Sequence, residues 1–194
     1  MPCSRDEKLV LLATALDSIR HGLEHGAPAR LNAGDYSTRL NAQRASFVTL
    51  NHGAVLRGCI GTIEPVKPLI TGIEDNALNA AFRDPRFPRL KKEELPDVDL
   101  EISVLTVPKI LEWKDGDDLK KKLRPNVHGV ILSQGWNSST FLPQVWEQLP
   151  DKQLFLEHLC QKGGMKKNCW TDKNTVVKIY EAEYFSEHEM SGEK

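Results

Sequence analysis

An arginine, a thiol and two glycines interrupt an otherwise apolar run, Val55-Leu56-Arg57-Gly58-Cys59-Ile60-Gly61-Thr62-Ile63. Cys59 is the candidate nucleophile. A thiol attacks as the thiolate, and a thiolate near neutral pH needs a cation, a helix N-terminus or an adjacent base. Arg57, two residues away, shares a face with Cys59 if the strand is regular there. Its guanidinium could then lower the thiol pKa, or hold a carboxylate or phosphate of a substrate. Gly58 and Gly61 let the backbone bend, take positive φ, or admit a ligand closely. The same pattern also reads as a β-bulge around a buried cysteine that serves as a small hydrophobe. Arg57 would then sit in a structural ion pair with a carboxylate such as Glu101.

Three other side chains could complete such a site. Glu101 lies mid-strand among apolar neighbours, where it faces either a cleft or the wet side of a sheet. His128 has apolar neighbours and is the histidine best placed to act as a base, so Glu101 or His128 would move protons. Arg86 stands on a proline-stiffened corner, where it would clamp an anionic substrate or brace the loop. His52 in a turn and His158 beside leucines read as structural. His158 and Cys160 would hold a metal only with ligands from elsewhere, because tetrahedral sites need three or four donors, so no metal site is expected. No cofactor motif appears: the chain lacks a Gly-rich phosphate loop, HExxH and GxSxG.

The elements that must position these residues are legible in outline. Ser4-Arg5-Asp6-Glu7 is a capping box, and Leu9, Leu12, Leu16 and Ile19 follow at helical spacing. A helix over 5–21 is expected, with Gly22 ending it and a loop from Gly22 to Leu40. Residues 45–51 and 54–63 read as two arms of a hairpin around Asn51-His52-Gly53, which places the Arg/Cys run on the second arm. A helix begins near Leu69 after Pro65 and Pro68, and its alanines permit close packing on a sheet. Asn76 and Asn79 would face solvent or bond nearby backbone. Asp84-Pro85-Arg86-Phe87-Pro88 is a stiff, extended corner. Residues 99–107 alternate as a strand, and 111–113 form a loop or short strand. Asp117 or Asp118 caps a short helix. Residues 127–133 are a strand, 135–139 a turn, and 140–142 a short extended piece. Asp151 caps a helix that Gly163-Gly164 stops, and 176–185 form one last strand. The polar tail after Glu187 is expected to fray. Hairpins mixed with helices, without βαβ alternation, give an α+β fold with an antiparallel or mixed sheet.

Composition limits the function classes. The chain has 194 residues, 40% hydrophobic and 27% charged, with a formal net charge of -1. That charge gives no support to nucleic-acid binding. Lys120-Lys121-Lys122 with Arg124 reads as a solvated helix face. Residues 1–8 read as too polar for a signal peptide and no apolar run reaches membrane-spanning length, so a cytoplasmic, reduced protein that does not enter a membrane is expected. Four cysteines without CxxC spacing are then expected to stay unbridged. Phe141 and Trp146 read as core residues. Trp136 is a candidate aromatic anchor for a partner.

Leu56-Arg57-Gly58-Cys59-Ile60-Gly61 also resembles the signature of the AMMECR-type domain family, whose bacterial and archaeal members are called AmmeMemoRadiSam system protein A. The likeness continues through Asp84-Pro85-Arg86-Phe87, Glu101-Ile102-Ser103-Val104-Leu105 and Pro143-Gln144-Val145-Trp146 to Phe155-Leu156-Glu157-His158-Leu159-Cys160 and Trp170. The resemblance implies one domain over 1–194, built of a larger and a smaller subdomain packed together. It implies that Arg57, Cys59 and Arg86 surround one cleft. It also implies association with a Memo-like protein and a radical SAM protein, and names no reaction. Two functions stay open. One is an enzyme or enzyme component acting on a small anionic or modified substrate, with Cys59, Glu101 and His128 as chemistry and Arg57 and Arg86 as substrate holders. The other is a non-catalytic binding or scaffold module for a protein partner.

Overall fold

The computed structural model describes residues 2–191. The chain divides into two compact units, one of residues 1–105 with 183–194 and one of residues 106–182. The fold is α+β, with a four-stranded antiparallel-paired sheet in each unit.

In the first unit, helix α1 spans Arg5–His25 behind the expected capping box. The Ser4 hydroxyl accepts from the Glu7 N–H, and the Glu7 carboxylate accepts from the Ser4 N–H at 2.8 Å. The helix passes through Gly22, one turn beyond the expected stop. Gly22 lies under Phe82 and Leu78, where a Cβ would overlap both side chains. The stop is Gly26, whose φ of 72° suits a residue without Cβ.

Strands β1 (Ser46–His52) and β2 (Val55–Gly61) pair antiparallel as expected, joined through Gly53 at φ 58°. The ladder slips between Leu50, which faces Gly58, and Asn51, which faces Leu56. Arg57 is therefore the extra residue of a bulge. Helix α2 (Leu69–Phe82) lays Ile70, Ile73, Ala77, Ala80 and Ala81 into the core with Val48, Leu50, Leu100 and Ile102 of the sheet. Its Asn76 faces the core. The amide donates to the carbonyl of Ser46 at 3.0 Å and its hydroxyl at 3.2 Å, tying helix to strand. Strand β3 (Val98–Leu105) pairs with β1, and the sheet order is β2-β1-β3-β8, with β8 spanning Ala182–Ser186. Residues 187–191 form a short helix where fraying was expected, and 192–194 lie outside the described residues.

The second unit orders its strands β4-β7-β5-β6, with β4 at Lys109–Ile110, β5 at Gly129–Gln134, β6 at Asn137–Phe141 and β7 at Val176–Tyr180. Helices α3 (Gly116–Lys122) and α5 (Lys152–Lys162) contribute Leu119, Phe155, Leu156 and Leu159 to its core, and the four-residue α4 (Val145–Gln148) contributes Trp146. The Trp146 ring stacks on Phe155 with centroids 3.5 Å apart.

Four expectations change here. The cap of α3 is Asp115, which accepts from the Asp118 N–H, because the helix begins earlier than its apolar residues indicate. Residues 137–141 are a strand rather than a turn, leaving Gly135-Trp136 as a two-residue loop. The stretch 176–185 is two strands in different sheets, broken at Glu181. Cys160 and Cys169 are disulfide-bonded, contrary to four unbridged thiols. The α5 stop at Gly163-Gly164 turns the chain back, bringing the two Cα atoms to 5.9 Å inside the core.

The two glycines nearest the α2–sheet contact make opposite predictions. A Cβ on Gly58 would overlap the Ala80 carbonyl oxygen, so Gly58→Ala should lose roughly 1–3 kcal/mol in a urea melt. Gly72 has ordinary contacts around a would-be Cβ and lies inside the helix, so Gly72→Ala should gain about 0.5–1 kcal/mol. Equal effects at both positions would contradict this packing.

Candidate functional site

Strand β2 lies at the edge of its sheet, so one side of its backbone has no strand partner. At Cys59 that side is occupied by side chains. The Cys59 N–H donates to Asp84 Oδ2 at 2.9 Å, and the Cys59 carbonyl accepts from an Arg86 guanidinium nitrogen at 3.1 Å. One donor and one acceptor are met as a neighbouring strand would meet them. Asp84 also takes the Arg86 N–H at 3.1 Å and two Arg86 guanidinium nitrogens, at 2.9 and 2.6 Å. Its side chain is 1% exposed, while that of Arg86 is half exposed. The Arg86 hydrogen bond, with those from the Cys59 and Arg86 N–H groups, outweighs burial and brings the Asp84 carboxyl down to about 2. The corner 84–88, expected to be extended, is a turn closed by the Phe87 N–H on the Asp84 carbonyl at 3.2 Å. It is pinned by the Leu90 N–H on the Ala81 carbonyl at 2.8 Å.

The thiol faces a different environment. Thr49 pairs with Cys59 on one side and Glu101 on the other, so the three form a row across β2, β1 and β3. This row lies opposite the face that carries Val48, Leu50, Leu100 and Ile102 into the core. All three residues are half-buried. The Thr49 hydroxyl donates to Cys59 Sγ at 3.3 Å. Burial pushes the Cys59 thiol up. Thr49 and Arg86 pull it down by less, and Asp84 and Glu101 push it up further. The sulfur is therefore held as the thiol at neutral pH.

Arg57 pairs with Glu94 rather than Glu101. Its Nε and one terminal nitrogen meet the two carboxylate oxygens at 2.8 and 3.2 Å. Its other terminal nitrogen is buried without a hydrogen-bond partner. Glu94 also accepts from the Lys91 N–H at 2.8 Å, and Arg57 leads the effects that lower its carboxyl pKa. Because Arg57 occupies the bulge, strand alternation does not carry it onto the Cys59 face.

His128 belongs to the second unit, whereas Arg57, Cys59, Arg86 and Glu101 belong to the first. Its ring is buried, and Nε2 accepts from the Arg124 Nε–H at 3.0 Å. Its carbonyl accepts from the Trp146 indole N–H at 2.7 Å. Burial, then the Arg124 charge, pushes the imidazole pKa down. The lone pair a base would use is already engaged. His52 and His158 are exposed. Among the described residues no group of three His, Cys, Asp or Glu gathers for a metal ion. No described helix is long and apolar enough to cross a membrane.

With this geometry in place, comparison with known proteins is decisive about kinship. The model of the AMMECR1 family matches residues 12–185. This chain belongs to the AMMECR1 family. A protein of Methanothermobacter thermautotrophicus is 41% identical over 187 residues, covering 96% of this chain and 97% of its own. A protein of Methanopyrus kandleri is 36% identical over 191 residues, covering 96% and 91%. The crystal structure of an uncharacterized protein from Pyrococcus horikoshii superposes with a TM-score of 0.85 at 34% identity, covering 91% of this chain and 89% of that one.

Sequence reasoning about this AMMECR1 chain did not single out Asp84, Thr49 or Glu94. Asp84 had a signal, an acid two residues from an arginine across a proline. Thr49 follows once the hairpin register is known. Glu94, 37 residues from Arg57, had none.

Asp84 sets a pH dependence. Its folded pKa, about 2, lies below the ordinary 3.8, so its contribution is present above about pH 4 and lost as pH falls through about 2. The shift corresponds to about 2 kcal/mol. Urea melts of Asp84→Asn should show that deficit at pH 7 and a shrinking difference toward pH 2. A deficit unchanged at pH 2 would refute the assignment.

Proposed function

We propose that this chain is a non-catalytic binding module for a protein partner, with the outer face of the first sheet as its recognition surface. The observation that carries the reading is the use of the motif's charges. Arg57 is spent on Glu94, and Arg86 is spent on Asp84 and the Cys59 backbone. The face that they hold carries a polar row, the half-buried Cys59, Thr49 and Glu101, with Asn51 opposite Asp99 one step along the strands. A face held in place by two ion pairs suits recognition, because little has to be ordered on binding. The family resemblance puts a Memo-like protein and a radical SAM protein first among partners to try.

A second reading keeps Cys59 as the nucleophile of an enzyme or enzyme component acting on a small anionic substrate. It draws on the half-exposed Arg86 guanidinium, whose charge favours the thiolate. Burial outweighs that charge, and the neighbouring hydroxyl is a hydrogen-bond donor to sulfur rather than a base.

Two measurements separate the readings. In a Cys3→Ser background, alkylation of Cys59 by iodoacetamide should rise only at pH values above the ordinary thiol range. An inflection below pH about 7 would mark an activated thiolate and defeat the binding-module reading. In cells that depend on the gene, Cys59→Ala should complement fully, while Thr49→Arg, which loads a charge onto the face, should fold yet fail. A stable Cys59→Ala protein without function would favour the enzyme.

A further inference from the structure

In the second unit, β4 is only two residues long and stops short against β7. Beyond the Leu111 N–H bond to the Val177 carbonyl at 2.9 Å, the segment 112–114 departs from the sheet. A groove of about 490 Å³ opens there, between residues 110–114 and 173–177. Ile110, Trp113, Val176 and Val177 make its apolar lining, and Lys114 and Lys173 stand on it. Ile110 is 63% and Val176 44% exposed, a large apolar contribution to leave in water beside a half-buried tryptophan.

The groove's lining carries two lysines against one acid, Glu112. Lys178 faces Ile110 across the β4–β7 ladder and adds a third lysine on that face. Of the nearby acids, Asp118 pairs with Lys122 at 2.8 Å and accepts from the Lys114 N–H at 3.0 Å, and Asp172 accepts from Gln134 and the Asn174 N–H, both at 2.9 Å. Among the described residues, the ion pairs of this unit fall on Lys120, Lys122, Arg124 and Lys167. Lys114 and Lys173 are exposed.

We propose that this groove binds an extended peptide segment of a partner protein in which acidic residues alternate with aliphatic ones. The lysines select the acidic side chains, and Ile110, Trp113 and Val176 receive the aliphatic ones. The volume falls in the range of ligand sites, but the groove is half-open to solvent, and enclosed pockets bury most of a small molecule. A chain laid in from the side needs no enclosure. Walls of five and four residues match about 13–16 Å of extended peptide. Period-two alternation in such a chain puts charge on one side and apolar groups on the other. This site uses none of the residues of the first-sheet face, so it stands or falls apart from the reading above.

The test is fluorescence anisotropy of the full chain with a labelled hexapeptide of alternating Glu and Leu, against one of alternating Lys and Leu. The Glu-Leu peptide should bind with Kd of about 100 μM or tighter, and the Lys-Leu peptide should not saturate. Binding should weaken roughly tenfold in Lys114→Glu/Lys173→Glu and fall with added salt. Lys114→Gln/Lys173→Gln, which removes the charges without reversing them, should weaken it less and in the same direction. Amide shifts on binding should cluster at 110–114 and 173–177. No saturation up to about 1 mM, equal binding of both peptides, or full binding by the double variants would overturn the proposal. So would self-association of the chain that the lysine substitutions abolish, since a second copy would then be the occupant.

Discussion

Strand β2 carries the signature run at an unpaired sheet edge, and the structure depends on how that edge is closed. One buried carboxylate does it. Asp84 accepts from the Cys59 N–H and three times from Arg86, and the Arg86 guanidinium reaches the Cys59 carbonyl. An open edge offers unmet donors and acceptors to any other strand, which proteins blunt with bulges and charges. Here a bulge at Arg57 and a charged clip at Cys59 act within three residues. The clip bonds are charge-assisted, with a buried carboxylate as acceptor, and such bonds are shorter and stronger than neutral ones.

Closing the edge constrains what lies on either side of it. Toward the core, Gly58 brings the strand against the backbone of α2 at Ala80, and Asn76 fixes the same helix to Ser46. Toward solvent, the thiol is held in the row with Thr49 and Glu101, short of a thiolate. The arginines that made the motif look like anion-binding chemistry are the parts that hold the strand in place.

Local signals in the sequence were sufficient for much of this. The Ser4–Glu7 capping box, the Gly53 turn and the Asp151 cap each act over three or four residues, and the cap or turn that each makes stands where expected. Elements decided by distant residues were read wrongly. Gly22 is a helix residue because Phe82 and Leu78 need the space. The run 176–185 breaks at Glu181, where no Gly or Pro marks it. There the Glu181 carbonyl accepts from the Thr106 N–H and the Glu181 N–H donates to the Thr106 hydroxyl, both at 2.9 Å. The Cys160–Cys169 bridge depends on a turn that spacing alone does not reveal. In the candidate site, the hairpin placed Cys59, and the corner placed Arg86. Glu94 reaches Arg57 only through the tertiary fold.

Hydrogen exchange at the Cys59 amide tests the clip most directly. If Asp84 replaces a neighbouring strand, this edge amide should exchange as slowly as an interior amide of the same sheet, such as that of Val48. In Asp84→Ala its protection should fall by about two orders of magnitude while that of Val48 falls by much less. A Cys59 amide that exchanges in the native protein as fast as an open edge, or keeps its protection without Asp84, would contradict the account.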